Sequence, residues 1–247
     1  MNGVLHALCA VLLGMAPVAP SGPAFDHALL DSALAGHVRE GRVDYAGIRA
    51  HRLGALDGYL DRLAAADPNA LASNEQLAFF INLYNASLIR AVIARTATRG
   101  ATAAWSPADS SFAVFHEPLV RVRGGALTLD SLENGIVRPR FREPRIHVAL
   151  VCGARSCPPL LPRAYRGSDL DATLAANLRA FATDTSRNRV DATARTLELS
   201  RIFEWYAADF VPLGGAAAVM GAALGRDFTG WALSYRRYDW TLNAPGR

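Results

Sequence analysis

Ser73-Asn74-Glu75-Gln76-Leu77-Ala78-Phe79-Phe80-Ile81-Asn82-Leu83-Tyr84-Asn85-Ala86-Ser87-Leu88-Ile89 is the stretch on which the fold turns. A serine followed three residues later by glutamine is a capping-box pattern, and it opens a helix over residues 74–95. Phe79, Phe80, Ile81, Leu83, Tyr84, Leu88, Ile89, Val92 and Ile93 leave that helix almost no polar face. A helix that is apolar nearly all round is buried, so the other elements must wrap it. Asn82 and Asn85 are the exceptions. They lie three apart and are neighbours on the helix surface, with Glu75 two turns earlier on the same stripe. They can satisfy buried backbone ends or support a site.

Working outward, the 247 residues suffice for a sizeable core, with 51% apolar residues. Every basic side chain that makes up the +4 net charge is arginine, and the arginines are scattered rather than blocked. A nucleic-acid face is not indicated. Residues 4–15 form an apolar run of secretory length, followed by Pro17, Pro20, Ser21, Gly22 and Pro23. We therefore expect residues 1–24 to be a signal peptide, cut after Ala19 or Ala24, and residues 25–247 to be one domain, periplasmic or secreted. The run is too short to span a bilayer comfortably, and no span is expected in the mature chain.

Before the central helix, residues 25–38 and 48–65 read as helices, joined through a turn at Gly41. After it, residues 101–111 read as a loop and 112–122 as extended, followed by the Gly124-Gly125 turn. Thr128 caps a helix reaching Arg138. Residues 146–152 read as a short buried strand. Ser168 to Asp171 open another helix, residues 195–199 form a strand, Ser200 caps a helix, residues 214–224 form a small-residue helix, and 234–240 a last strand. Helices outnumber strands, which implies an α+β, helix-rich domain with a small antiparallel or mixed sheet.

The chemistry concentrates in residues 145–159. His147, Cys152, Arg155 and Cys157 fall within a few residues of one another, with Pro158 and Pro159 behind. On a regular strand His147 and Cys152 point to opposite faces, whereas Cys157, beyond the turn, is free to return to His147. Cys157 is then the nucleophile and His147 its base, with Arg155 lowering the thiol pKa. Cys152 packs behind. The histidine needs an orienting group on its other nitrogen, and Glu133, Asn82 and Asn85 are the candidates. Only tertiary contact can choose among them; the expected triad is Cys157, His147 and Glu133, with Asn82 or Asn85 supporting it from the buried helix. In an oxidising compartment Cys152 and Cys157 can instead form a disulfide, structural or redox-active. Zinc is not favoured, because no fourth ligand is evident beside His147, Cys152 and Cys157. No phosphate-binding glycine loop and no G-x-S-x-G or H-E-x-x-H pattern occurs.

Five segments in order carry a resemblance: residues 79–86 (FFINLYNA), 127–136 (LTLDSLENGI), 144–158 (PRIHVALVCGARSCP), 199–206 (LSRIFEWY) and 238–243 (YDWTLN). Together they resemble the domain of unknown function 547 family over roughly residues 43–243. Bacterial members of that family are typically exported single domains, in keeping with the leader. In plant relatives the cysteines are often replaced, which implies that a thiol is not essential to the fold. The resemblance also implies a fold similar to papain-like hydrolases, but in a rearranged form, since His147 precedes Cys157.

The functional expectation is a thiol-dependent hydrolase or acyl transferase. It would act on an unidentified small-molecule or peptide-like ligand and need no cofactor. A scaffolding domain stapled by Cys152–Cys157 and a redox dithiol are the alternatives.

Overall fold

The computed structural model describes residues 23–97 and 105–245. Residues 1–22 of the expected leader, with Cys9, and residues 101–104 of the expected 101–111 loop lie outside the described residues.

Helices α1 (Ala28–Leu34), α2 (Tyr45–His51) and α3 (Leu53–Ala65) come first, with a two-stranded hairpin, β1 (Val38–Arg39) and β2 (Arg42–Val43), between α1 and α2. The single helix expected over 48–65 is thus two helices that meet at Arg52, whose φ of −133° leaves the helical region. Asp44 starts α2 by accepting the Gly47 N–H at 2.8 Å. Helix α4 (Ser73–Ala97) is the buried helix anticipated from its apolar run, and it packs against α2, α3 and α8 (Leu170–Thr183). It is long and apolar enough to cross a membrane, but its surroundings here are protein.

Asn82 and Asn85 of α4 act as clamps on other backbone segments. Asn82 accepts the Tyr165 N–H at 2.9 Å and donates to the Tyr165 carbonyl at 2.8 Å. Asn85 accepts the Val151 N–H at 3.0 Å and donates to the Ala149 carbonyl at 3.0 Å. Each amide does what a neighbouring strand would do, satisfying one buried donor and one buried acceptor. At the start of α4, Glu75 accepts from Gly167 N at 2.7 Å and from His27 Nε2 at 2.8 Å. A Cβ on Gly167 would lie 2.6 Å from the Glu75 backbone nitrogen. Gly167→Ala is therefore expected to destabilise the fold by about 1–3 kcal/mol, as overpacking against backbone does, and a urea melt measures it.

Three departures from the sequence reading matter for the site. Residues 112–122 are not one extended segment: α5 (Asp109–His116) comes first, with Ser110, Ser111 and Phe112 at φ of 53°, 56° and 62°, and a hairpin of β3 (Val120–Val122) and β4 (Gly125–Leu127) follows. The helix capped by Thr128, whose side chain accepts the Ser131 N–H, runs as α6 (Leu129–Leu132), a wider π-helical turn (Glu133–Val137) and α7 (Arg138–Phe141). Such wide turns often occur where a side chain must be re-aimed. Residues 146–152 form no strand. Pro144–Val148 is a 3-10 turn, with proline in its first turn and the Glu143 side chain accepting the Arg145 N–H. Proline pre-sets the helical φ and the acid caps it, and a short apolar run does not by itself distinguish a turn from a strand.

The C-terminal half adds a three-stranded mixed sheet. β5 (Arg189–Asp191) pairs antiparallel with β6 (Thr196–Leu199), which pairs parallel with β7 (Ala232–Tyr235). Between β6 and β7 run α9 (Ile202–Trp205), α10 (Ala207–Phe210) and α11 (Gly215–Leu224). The α+β class stands, helix-rich with small sheets. The expected last strand is shorter than 234–240; beyond β7 the chain turns back onto the 153–157 turn.

Candidate functional site

A cavity of about 300 Å³ opens between α5, α6, the 144–157 segment, α9 and the C-terminal stretch. Tyr84, Glu133, His147, Cys152, Cys157, Tyr206 and Tyr238 line it, with Phe112, Trp205 and Trp240 at its aromatic side. His147, Glu133, Cys152 and Cys157, expected together from the sequence, therefore share one cavity. Asn82 and Arg155 do not line it. Asn82 holds Tyr165 from within the core, and Arg155 is exposed.

The thiol-bearing turn is held from three sides. Asn85 grips Ala149 and Val151 just before Cys152. The C-terminal stretch pairs with the turn itself: Arg155 N donates to Thr241 O at 2.8 Å, and Asn243 N to Gly153 O at 2.8 Å. Gly153 sits at φ 78°, the left-handed region that favours glycine. Arg187 donates to the Cys157 carbonyl at 2.8 Å and the Arg155 carbonyl at 3.1 Å. The cation beside the thiols is thus Arg187, not Arg155 as the sequence spacing suggests.

Among the described residues, Cys152 and Cys157 are free thiols. Cys157 is buried, and its sulfur accepts the Cys152 N–H at 2.8 Å. Cys152 is half-buried, with its sulfur 3.3 Å from Tyr238 Oη. Burial pushes the Cys152 thiol up, but hydrogen bonds from Cys157, Tyr238 and the Ala154 backbone carry it below its usual value. Burial first, and the neighbouring Cys152 next, push Cys157 well above its usual value. Of the two coupled sulfurs, the one better supported as an anion is Cys152. The assignment of roles from strand alternation has no strand to rest on.

His147 is oriented by an acid that the sequence reading missed. Its Nε2–H donates to Asp209 Oδ2 at 2.7 Å. Arg138 holds the same carboxylate with two bonds, of 2.7 and 3.0 Å. Those Arg138 bonds, against some burial and helped by His147, hold Asp209 down at about 2. Tyr206 stacks on the imidazole with ring centroids 3.6 Å apart. Glu133, expected to orient the ring, stands 3.7 Å from Nδ1, beyond hydrogen-bond reach. Nδ1 has no hydrogen-bond partner, so His147 touches neither thiol directly and the direct Cys157–His147 bond is not made. Burial raises the Glu133 carboxyl above its usual value, against hydrogen bonds from Tyr206 and Tyr84. Asp209 gave no signal in the sequence, because it lies 62 residues from His147 on a short helix of its own.

The same burial lowers His147 to about 4, against the pull of Asp209. A histidine depressed in the folded state is neutral there, while the unfolded chain takes up its proton near 6.5. Its contribution to stability is full above about pH 6.5 and is lost as pH falls towards about 4, a loss of roughly 3 kcal/mol. Thermal melts should therefore fall between pH 7 and pH 4, and His147→Gln should flatten that slope. An unchanged slope in the variant would refute the assignment.

No curated protein and no solved structure matches the chain. Asp209, Tyr206 and Tyr238 lie beyond the matched family segment, so the cavity draws on more of the chain than that segment covers. Residues 68–182, which hold Asn85, Glu133, His147 and both thiols, match the family model described as "Protein of unknown function, DUF547", and this segment belongs to that family.

Proposed function

We propose that this cavity is the active site of a thiol-dependent acyl hydrolase or transferase, with Cys152 as its nucleophile. The observation that carries the reading is the hydrogen-bonded cluster of Cys152, Cys157 and Tyr238 on a cavity wall shared with a buried, acid-anchored histidine. A thiolate at Cys152 attacks the acyl carbon, forming a sulfur–carbon bond while the carbonyl π electrons move to oxygen. Collapse expels the leaving group, which takes a proton from the Glu133–His147 couple. Water or another acceptor then attacks the thioester, returns a proton to that couple and frees the thiolate. Asp209, fixed by Arg138, holds the ring through Nε2 and so keeps the lone pair of neutral His147 on Nδ1. Tyr238 and Cys157, rather than His147, lower the thiol pKa.

An acyl-enzyme trap tests this. Activated acyl esters and thioesters are incubated with the native protein, which is then quenched in acid and mapped by mass spectrometry. The acyl group is expected on Cys152. Acylation no faster than that of the urea-unfolded chain, or acylation of Cys157 alone, would remove the proposal.

The sulfur contact favours a second reading, a redox dithiol. Mild oxidation would then give a bridged chain two mass units lighter, reversed readily by reductant. A chain that stays reduced under diamide while Cys152 acylates excludes it.

A further inference from the structure

We propose that the mature chain begins at Phe25, and that its new α-ammonium docks on the buried carboxylate of Glu75. Phe25 N already lies 3.3 Å from Glu75 Oε1. The Phe25 side chain is fixed independently of whatever precedes it. Its ring meets Phe79 of α4 edge-on at 5.3 Å and Tyr59 of α3 at 6.3 Å, with the Arg62 guanidinium 5.8 Å from its centre. Pro23 and Ala24, by contrast, are exposed. The boundary between exposed and anchored chain therefore falls at the Ala24–Phe25 bond.

The same bond is a small-residue processing site. Gly22 and Ala24 occupy the two positions where export peptidases require small side chains, behind an apolar run of secretory length. The alternative cut after Ala19 puts proline at Pro17 and Pro20, on both sides of the bond. Hydrolysis of Ala24–Phe25 consumes one water, leaves a carboxylate on Ala24 and creates an amine on Phe25. That amine is protonated near neutral pH and replaces one amide donor by a cation with three. Glu75 is prepared to receive it. The carboxylate is buried and also accepts from His27 and Gly167, and these bonds offset its burial so that its pKa lies below the usual value. A charge-assisted bond is stronger than its neutral counterpart, so removal of the leader would tighten the start of α4. That helix carries the Asn85 clamp on the thiol turn.

The sequence makes the test clean, because the chain has no lysine and the α-amine is its sole aliphatic amine. The exported protein is purified and its first residue determined by intact mass and terminal sequencing; Phe25 is expected, and any other first residue overturns the proposal. The native protein is then treated with a succinimidyl acetate. Acetylation is expected to be at least about tenfold slower than in the urea-unfolded chain, because the docked amine is protonated and enclosed. Protein acetylated while unfolded and then refolded keeps the N–H but loses the charge. Its Tm is expected to fall by about 3–6 °C, the shift that charge assistance to one bond gives in a chain of this size. In Glu75→Gln the fall should vanish. Should that variant not fold, the labelling rate and Tm of the wild-type chain decide alone. Equal labelling rates, or an unchanged Tm on acetylation, would overturn the docking.

Discussion

Cys152→Ala should abolish acyl-enzyme formation and lower turnover of the best acyl substrate by on the order of 10³-fold or more, since it removes the reacting atom. The companion variants separate this from damage to the fold. Cys157→Ala loses a proton donor to Cys152, so it should raise the pH at which Cys152 alkylates and slow the reaction at neutral pH without eliminating it. Tyr238→Phe, which removes the hydroxyl 3.3 Å from the Cys152 sulfur, should do the same. His147→Ala is expected to reduce turnover by about 10²–10⁴-fold while leaving alkylation of Cys152 largely intact, because the imidazole bonds neither thiol. That last contrast is the discriminating one. In a directly bonded cysteine–histidine pair, loss of the histidine would slow alkylation and turnover together. Rates of iodoacetamide labelling against pH, set beside acyl turnover for the four variants, measure all of this. If Cys157→Ala stops acylation and Cys152→Ala does not, the nucleophile is misassigned.

Asn85→Ala should be the most damaging single change in α4. It strips the partner from the Ala149 carbonyl and the Val151 N–H at once, both inside the protein. Two orphaned backbone groups at roughly 1–3 kcal/mol each place the loss at about 2–6 kcal/mol, or a fall in Tm on the order of 10 °C. Asn85→Asp should be no milder. Its carboxylate still accepts from Val151, but it cannot donate to Ala149 and sets a charge against a carbonyl oxygen. The same substitutions should change Cys152 alkylation well below the melting range, because Asn85 grips the residue immediately before that cysteine. Thermal unfolding gives the first quantity and labelling at 20 °C the second. A large fall in Tm with unaltered labelling would confine Asn85 to the fold.

The two asparagines also show how far a single sequence reaches. Their place on an otherwise apolar helix marked them as residues with buried work to do, and hydrogen-bonding backbone ends was one of the readings it allowed. Which backbone they held was not legible, since Ala149 and Tyr165 are 64 and 83 residues away. The cysteine turn shows the opposite case. Gly153 and the prolines signalled a turn correctly, while the residues before it read as a strand because they are apolar and partly β-branched. Pro144 and the Glu143 cap outweighed that propensity, and the alternation argument that separated the two thiols went with the strand.

The sequence by itself determined the buried helix and the helix-rich α+β class, and it grouped His147, Cys152, Cys157 and Glu133 as candidates, which line one cavity. These depend on local periodicity, capping and short spacing, which a linear chain carries in itself. Tertiary structure alone decided that Asp209 and Arg138 anchor His147, that Tyr238 and Cys157 support the Cys152 sulfur, and that Arg187 replaces Arg155 beside the turn. Those contacts join segments distant in sequence, and their strength rests on desolvation inside a packed cavity, a quantity that exists only once the chain has closed around it.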